Sequence, residues 1–313
     1  MSRAFVFPGQ GSQAVGMGKE LSDAFAEARE VFQEVDEALK QKLSALMFEG
    51  PEDQLTLTEN AQPALMAVSL AVVRVLEKQG GFNLSDKAAF VAGHSLGEYS
   101  ALAAARALEI SDTARLLKTR GQSMQKAVPV GEGAMAALLG LDLDAAQEVA
   151  DAACQGEICA AANDNAAGQV VISGHKGAIE RALDLAKEKG AKRAVLLPVS
   201  APFHCPLMAP AAKVMGEALS QVQIRQPVPS LVANVTAERC DDPTEIRRLL
   251  VEQVTGMVRW RESVTYLGEQ GVDTLVELGS GKVLTGLVRR INRDMSGVSI
   301  QGPADIDSFL ESL

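Results

Sequence analysis

Cysteine is scarce in this sequence of 313 residues. The four present, Cys154, Cys159, Cys205 and Cys240, form no C-x-x-C pair, which suits a reducing compartment. Only Cys154 and Cys159 stand close together, and neither has a His or Cys neighbour that would complete a metal site. No bound metal is expected. Positive charge is also in deficit: a net charge of −10 argues against nucleic acid or an anionic membrane as partner. Long apolar runs are missing. The longest, "ALMAVSLAVV" at 64–73, is ended by Arg74, well short of the ~20 residues a membrane span needs. The N-terminal run Ala4-Phe5-Val6-Phe7 stops at Pro8-Gly9, too short for a signal-peptide core. A soluble cytoplasmic protein is expected, without repeats or low-complexity segments.

Nucleotide loops are absent too. In "FPGQGSQ" and the residues after it, G-x-G-x-x-G fails in both registers, at Ala14 and at Leu21. "GSGKV" at 279–283 has Val276 where a P-loop needs its first glycine and Val283 where it needs Ser or Thr. No nucleotide cofactor, and no other cofactor, is expected.

What is present is a globular composition, 47% hydrophobic and 22% charged, in a chain long enough for one large domain or two ordinary ones. Strands and helices alternate. "AFVF" (4–7) and "AAFVAG" (88–93) read as buried parallel strands. Helices are expected at about 22–40, at about 60–78 with Asn60 as cap, and at 111–128 with Ser111 as cap. From about 130 the order becomes β-α-β-β-α-β: strand 133–141, helix 142–154, strands 158–163 and 168–174, helix 176–190 and strand 193–199. That is the ferredoxin-like pattern. The larger alternation then resumes, with strands near 230–233 and at 273–277 and helices near 206–220, 243–255, 260–270 and 282–292. The fold class expected is α/β. A main domain with a parallel sheet (1–128 and 198–313) is interrupted by a ferredoxin-like insertion (129–197), and a cleft between them is the natural site.

Within that frame Gly93-His94-Ser95-Leu96-Gly97 is a G-x-S-x-G between a strand and a helix, the context of a nucleophile elbow. Glycines at −2 and +2 are required where a Cβ would strike the neighbouring strand and helix. The turn points the Leu96 amide and the helix N-terminus toward developing negative charge. An ordinary βα turn is the plainer alternative. A serine nucleophile at neutral pH needs a histidine base, and there are three histidines. The side chain of His94 should point away from that of Ser95, and His175 reads as a surface loop residue in the insertion. His204, in "VSAPFHCP" where the chain returns to the main domain, is the candidate base. "PGQGSQ" can bring a second backbone amide to the same place. Read by itself, Arg120 is a surface salt-bridge residue at a helix end.

The set "FPGQGSQ" (7–13), "GHSLGEYSAL" (93–102), Arg120-Gly121 with Met124, "NDNAAGQVVISG" (163–174), "SAPFH" (200–204), "ANVTA" (233–237) and "ELGSGKVLTGL" (277–287) resembles the malonyl-CoA:acyl carrier protein transacylases. These are relatives of the acyltransferase domains of fatty-acid and polyketide synthases. The resemblance runs through nearly the whole chain in order, and it implies an α/β-hydrolase-like body with a ferredoxin-like insertion. It further implies Ser95 as the acylated nucleophile, His204 as its base, Gln10 and Leu96 as oxyanion-hole amides, and Arg120 as the fork for a free malonyl carboxylate. By the same resemblance the Gln253 main-chain carbonyl orients the histidine in place of a carboxylate. Phe203 before the histidine and Leu96 after the serine imply malonyl rather than methylmalonyl. Asn163 and Asn234 fall in these motifs without a definite role.

The expected partners are malonyl-CoA and an acyl carrier protein, and the expected state is a monomer. Such carriers are acidic, as this chain is, so Lys282, Arg289, Arg290 and Arg293 are the candidate docking patch. A serine esterase or thioesterase, a module serving a polyketide pathway and a non-catalytic scaffold are the alternatives. The esterase would carry a carboxylate partner for His204 and would not need Arg120.

Overall fold

The computed structural model describes residues 2–313. Ten strands are named in chain order: β1 (Arg3–Phe7), β2 (Phe90–Gly93), β3 (Gly133–Leu139), β4 (Cys159–Ala166), β5 (Gln169–His175), β6 (Arg193–Leu196), β7 (Ser230–Val232), β8 (Arg239–Cys240), β9 (Thr274–Leu278) and β10 (Ser296–Ile300). They make two sheets, one of six strands in the order β10-β9-β1-β2-β7-β8 and one of four in the order β4-β5-β3-β6. In the large sheet all pairings are parallel except β7 with β8. The small sheet is antiparallel throughout. The fold is mixed α/β.

Side-chain alternation explains why the central strands β1 and β2 of the large sheet are apolar along their length. Phe5 and Phe7 of β1 enter one core cluster, while Ala4 and Val6 enter another on the opposite face. Val91 of β2 faces the first cluster, and Phe90 and Ala92 face the second. A strand covered on both sides favours apolar residues at both parities; an exception is buried Glu277 of β9, whose carboxylate accepts from the Leu284 and Thr285 amides. The first face is covered by the helix Leu96–Ala104, which lies on β1 and β2, and by the helix Thr58–Gly80, which buries seventeen of its 23 residues. A third cluster lies between the small sheet and the helices Leu143–Cys154 and Lys176–Glu188. The two sheets meet through β4: Val258 donates to Ala162 O (2.9 Å), Asp164 donates to Val258 O (3.0 Å), and buried Asp164 pairs with Arg261 at 2.8 Å.

Several local expectations are corrected. The helix expected at 22–40 is two helices, Lys19–Ala24 and Ala26–Leu39, because Phe25 is extended (φ −127°, ψ 130°) and turns its ring into the core. Asn60 is not a cap. The helix starts at Thr58, and the buried Asn60 side chain donates to Gln54 O and accepts from Gln41 and Lys118. Ser111 is inside its helix, which starts at Ile110 with Glu109 before it. The strand expected at 193–199 ends at Leu196, and Leu197–Ser200 form cleft wall. His175 is no loop residue: it ends β5, half-buried, with Nδ1 accepting from the Ile158 amide. Strand β10 and the helix Pro303–Glu311 went unread, since "SGVSI" lacks a continuous apolar pattern.

Candidate active site

Strand β2 ends at Gly93, and the helix Leu96–Ala104 starts after only two intervening residues. Ser95 at the corner has φ 55° and ψ −110°, a conformation costly for any residue with a Cβ. The corner is this tight because its flanks touch. A Cβ on Gly93 would lie 1.9 Å from Gly97 O, and one on Gly97 would lie 2.2 Å from Phe7 O at the end of β1. Asn234, just beyond β7, pins the corner from below: Oδ1 accepts from the Ser95 amide (2.8 Å) and Nδ2 donates to Gly93 O (2.6 Å). The strained turn is thereby held by the strand beside it.

The Ser95 hydroxyl meets His204 Nε2 at 2.7 Å. His204 follows the loop from β6 and is 4% exposed. Its Nδ1 faces two main-chain carbonyls, Gln253 O at 2.9 Å and Gly256 O at 3.1 Å. Carbonyls only accept, so Nδ1 carries the proton and Nε2 turns its lone pair to the serine. Burial first, and the Arg120 charge second, push the His204 pKa down to about 3. The imidazole is therefore neutral at pH 7, as a base must be before it takes a proton.

Arg120 is not at a helix end on the surface. It is deep in the helix Ile110–Ala127, 1% exposed, and its guanidinium reaches the same serine. One terminal nitrogen donates to Gln62 Oε1 (2.9 Å); the other donates to Ser95 Oγ (3.0 Å) and Gln253 Oε1 (2.9 Å). Its face lies over the Tyr99 ring, 5.7 Å from the centroid. Among the described residues Nε has no partner and no carboxylate pairs with the group. A buried cation whose fork lacks an anion is poised for one from outside.

Gln253 does more than present a carbonyl. Its side chain takes Arg120 at Oε1 and gives Nε2 to Ser95 O (3.0 Å) and Glu98 Oε2 (2.8 Å). Neither this amide, nor Glu98, nor the clamp by Asn234 was read from the sequence. The "GHSLGEYS" and "ANVTA" motifs contain two of the three, but no local pattern says which way they point.

Gln10, Leu96, Phe203, Asn163 and His94 all line the cleft of about 590 Å³ that opens onto Ser95, together with Gln62, Met124, Met135 and Leu197–Ser200. Gly9 packs its backbone on His94, where a Cβ would lie 2.9 Å from His94 O, so the "PGQG" turn sits against the corner. The main-chain amides of Gln10 and Leu96 donate to no group among the described residues, while the Gln10 side chain donates to Thr58 Oγ1 at 3.4 Å. The His94 ring is engaged elsewhere: Nε2 meets Asn165 Oδ1 at 2.8 Å. A serine hydroxyl, a neutral histidine, a buried cation and free main-chain amides thus converge in one opening, an arrangement with the chemistry to attack an acyl group that carries a second, anionic end.

Comparison with known proteins agrees with the geometry. The acyl transferase domain family matches residues 4–302. A malonyl CoA-acyl carrier protein transacylase of Bacillus subtilis is 46% identical over 311 residues, covering 99% of this chain and 96% of the relative. The Escherichia coli protein of the same name is 44% identical over 308 residues, 98% of each. Among solved structures, an acyl-carrier-protein S-malonyltransferase from Bartonella henselae superposes with a TM-score of 0.97 at 56% identity, covering 100% of this chain and 99% of that one. A malonyl-transacylase in complex with its type II PKS acyl-carrier protein superposes with a TM-score of 0.96 at 42% identity over 100% of both chains. A family match over nearly the whole length, around a serine, a histidine and a buried arginine in contact, places this chain in the acyl transferase domain family.

Proposed function

We propose that this enzyme transfers the malonyl group from malonyl-CoA to the phosphopantetheine thiol of an acyl carrier protein, through a malonyl ester on Ser95. Ser95 attacks the thioester as His204 Nε2 takes its proton, and coenzyme A leaves with that proton. The carrier thiol then attacks the ester and regenerates the serine, a ping-pong sequence. The Gln10 and Leu96 amides receive the tetrahedral oxyanion; one such donor is typically worth on the order of 10²–10³ in rate. The two carbonyls on His204 Nδ1 do what a triad carboxylate does elsewhere, fixing tautomer and ring. Phe203 and Leu96 close the space an α-methyl would need.

The observation that carries this reading is Arg120, buried, unpaired by any carboxylate and 3.0 Å from Ser95 Oγ. An esterase has no use for it, and acetyl leaves it unsatisfied. Incubation with malonyl-CoA followed by mass spectrometry tests the reading: a malonyl ester on Ser95, stable until a carrier is added, is expected. No adduct, or equal labelling by acetyl-CoA, overturns it, and rapid loss of the ester to water assigns a hydrolase.

The same reading takes residues 1–128 and 198–313 as an α/β-hydrolase-like body and 129–197 as a ferredoxin-like insertion. The β-α-β-β-α-β order and the antiparallel four-stranded sheet support the insertion. The carrier's acidic surface docks on Lys282, Arg289, Arg290 and Arg293, all exposed and, among the described residues, without an ion pair. The protein acts as a cytoplasmic monomer without cofactor, metal, nucleic-acid or membrane partner. No helix among the described residues is long and apolar enough to cross a membrane.

A further inference from the structure

Glu98 is the one charged side chain beside the reacting groups to which the transfer reaction gives no task. It lies one turn past Ser95 on the helix Leu96–Ala104 and is 1% exposed. Its Oε2 accepts from Gln253 Nε2 at 2.8 Å and from the Asn234 amide at 3.1 Å. Gln253 Oε1 in turn accepts from Arg120 at 2.9 Å. Anion and cation are therefore joined by a single side-chain amide, its N–H toward the carboxylate and its C=O toward the guanidinium. Because an ionised carboxylate only accepts and a guanidinium only donates, the two of them fix which way that amide faces.

The spacing has a consequence for binding. A carboxylate in direct contact would occupy the arginine fork and neutralise it. A buried arginine with no anion nearby would carry a heavy desolvation cost. One intervening amide avoids both, leaving only neutral partners on the guanidinium while keeping a countercharge one amide away.

We propose that Glu98 is an internal countercharge: set behind Arg120 across the Gln253 amide, it tempers the grip of Arg120 on the free carboxylate of the acyl group. This rests on the malonyl reading above. An incoming carboxylate and Glu98 compete for one cation, so each weakens the hold of the other. Removing the Glu98 charge tightens malonyl-CoA and leaves acetyl-CoA untouched.

Proton linkage gives the same sign. The bound carboxylate is a like charge near Glu98 and favours its protonated form, so malonyl binding strengthens as pH falls. The titratable groups facing Glu98 are Tyr99 on its own helix, Arg120 on the helix Ile110–Ala127, Cys240 on β8 and, across the Gln253 carbonyl, His204. Burial pushes the Cys240 thiol up to about 11 and Tyr99 higher still, holds His204 down at about 3, and leaves Arg120 cationic. Glu98, raised by burial to about 7, is the member of this set that titrates between pH 6 and 8.

The test uses the full chain carrying Ser95→Ala, which cannot be acylated, so that calorimetry reads binding alone. Malonyl-CoA and acetyl-CoA are titrated at about pH 6 and pH 8, with and without Glu98→Gln. With Glu98 present, the malonyl-to-acetyl affinity ratio rises several-fold from the higher pH to the lower. Glu98→Gln raises malonyl affinity at the higher pH by about tenfold, as expected for a unit charge a few ångströms off in a partly screened site. It leaves acetyl affinity unchanged and abolishes the pH dependence of the ratio. A ratio that is flat with pH while Glu98 is present overturns the proposal without recourse to the second variant. Equal effects on both thioesters, or weaker malonyl binding in Glu98→Gln, show an ordinary structural role and overturn it as well. An unsubstituted chain that forms no malonyl ester overturns the transfer reading itself; one that forms it while the ratio stays flat overturns the Glu98 assignment alone.

Discussion

The Arg120 guanidinium donates to Ser95 Oγ at 3.0 Å although 25 residues and a helix junction separate the two in the chain. Hydroxyl and cation are already in contact, so in the proposed transfer an acyl group bearing a carboxylate would meet both at once. Arg120→Ala is expected to lower kcat/KM for malonyl-CoA by roughly 10³ or more while acetyl-CoA loses far less. Rates of Ser95 ester formation with the two thioesters check this, and an equal loss with both would assign Arg120 to structure.

Asn234 holds the Ser95 amide and the Gly93 carbonyl with its two side-chain ends. Asn234→Ala leaves both buried groups short of a partner and frees a turn with φ 55°. A stability loss of about 1–3 kcal/mol is expected, read by denaturant unfolding. Acylation should slow more than that loss explains, because Ser95 would no longer be held against His204.

Gly97→Ala would drive a methyl into the main chain of Phe7, which cannot move without breaking the β1–β2 register. The expected outcome is failure to accumulate as folded protein, scored by expression and circular dichroism. Normal folding of this variant would show the corner to be looser than described.

His204 stays neutral far below the ordinary imidazole range, with its pKa near about 3. A base with a depressed pKa is lost only as pH falls through that low value. The Ser95 acylation rate should therefore hold between about pH 7 and pH 5, where an ordinary imidazole would lose roughly 30-fold. Stopped-flow release of coenzyme A measures it; a midpoint near pH 6.5 would contradict the burial argument.

Charge reversal at Lys282, Arg289, Arg290 and Arg293 is expected to raise KM for the acyl carrier protein at least about tenfold at low salt, an effect that fades as ionic strength rises. Acylation by malonyl-CoA should be unchanged, since none of the four lines the cleft at Ser95. An unchanged carrier KM places docking elsewhere.

Local chemistry is legible in one dimension because it is written in neighbours. The corner at Ser95 is such a case: a short apolar strand, two glycines at fixed offsets and a helix-forming run can be read without knowing anything distant. The same holds for the apolar runs of β1 and β2, since a strand buried on both faces favours apolar residues at both parities. Helix starts were read less well at Asn60 and Ser111. Both are cap-type residues that lie inside their helices, and the buried side chain of Asn60 bonds to residues up to 58 positions away.

The sequence alone thus determined the α/β alternation, the strained serine turn and, through its ordered motifs, the family resemblance. Tertiary structure alone decided that Arg120 is buried rather than surface-paired, that Gly256 O joins Gln253 O on His204 Nδ1, and that the side chains of Gln253, Asn234 and Glu98 are wired to the serine turn. The reason is physical. A hydrogen bond is specified by a direction and a distance of about 3 Å, and residues 95, 120, 204, 234 and 253 acquire both only when the sheet sets β2 beside β7 and the helices close over them.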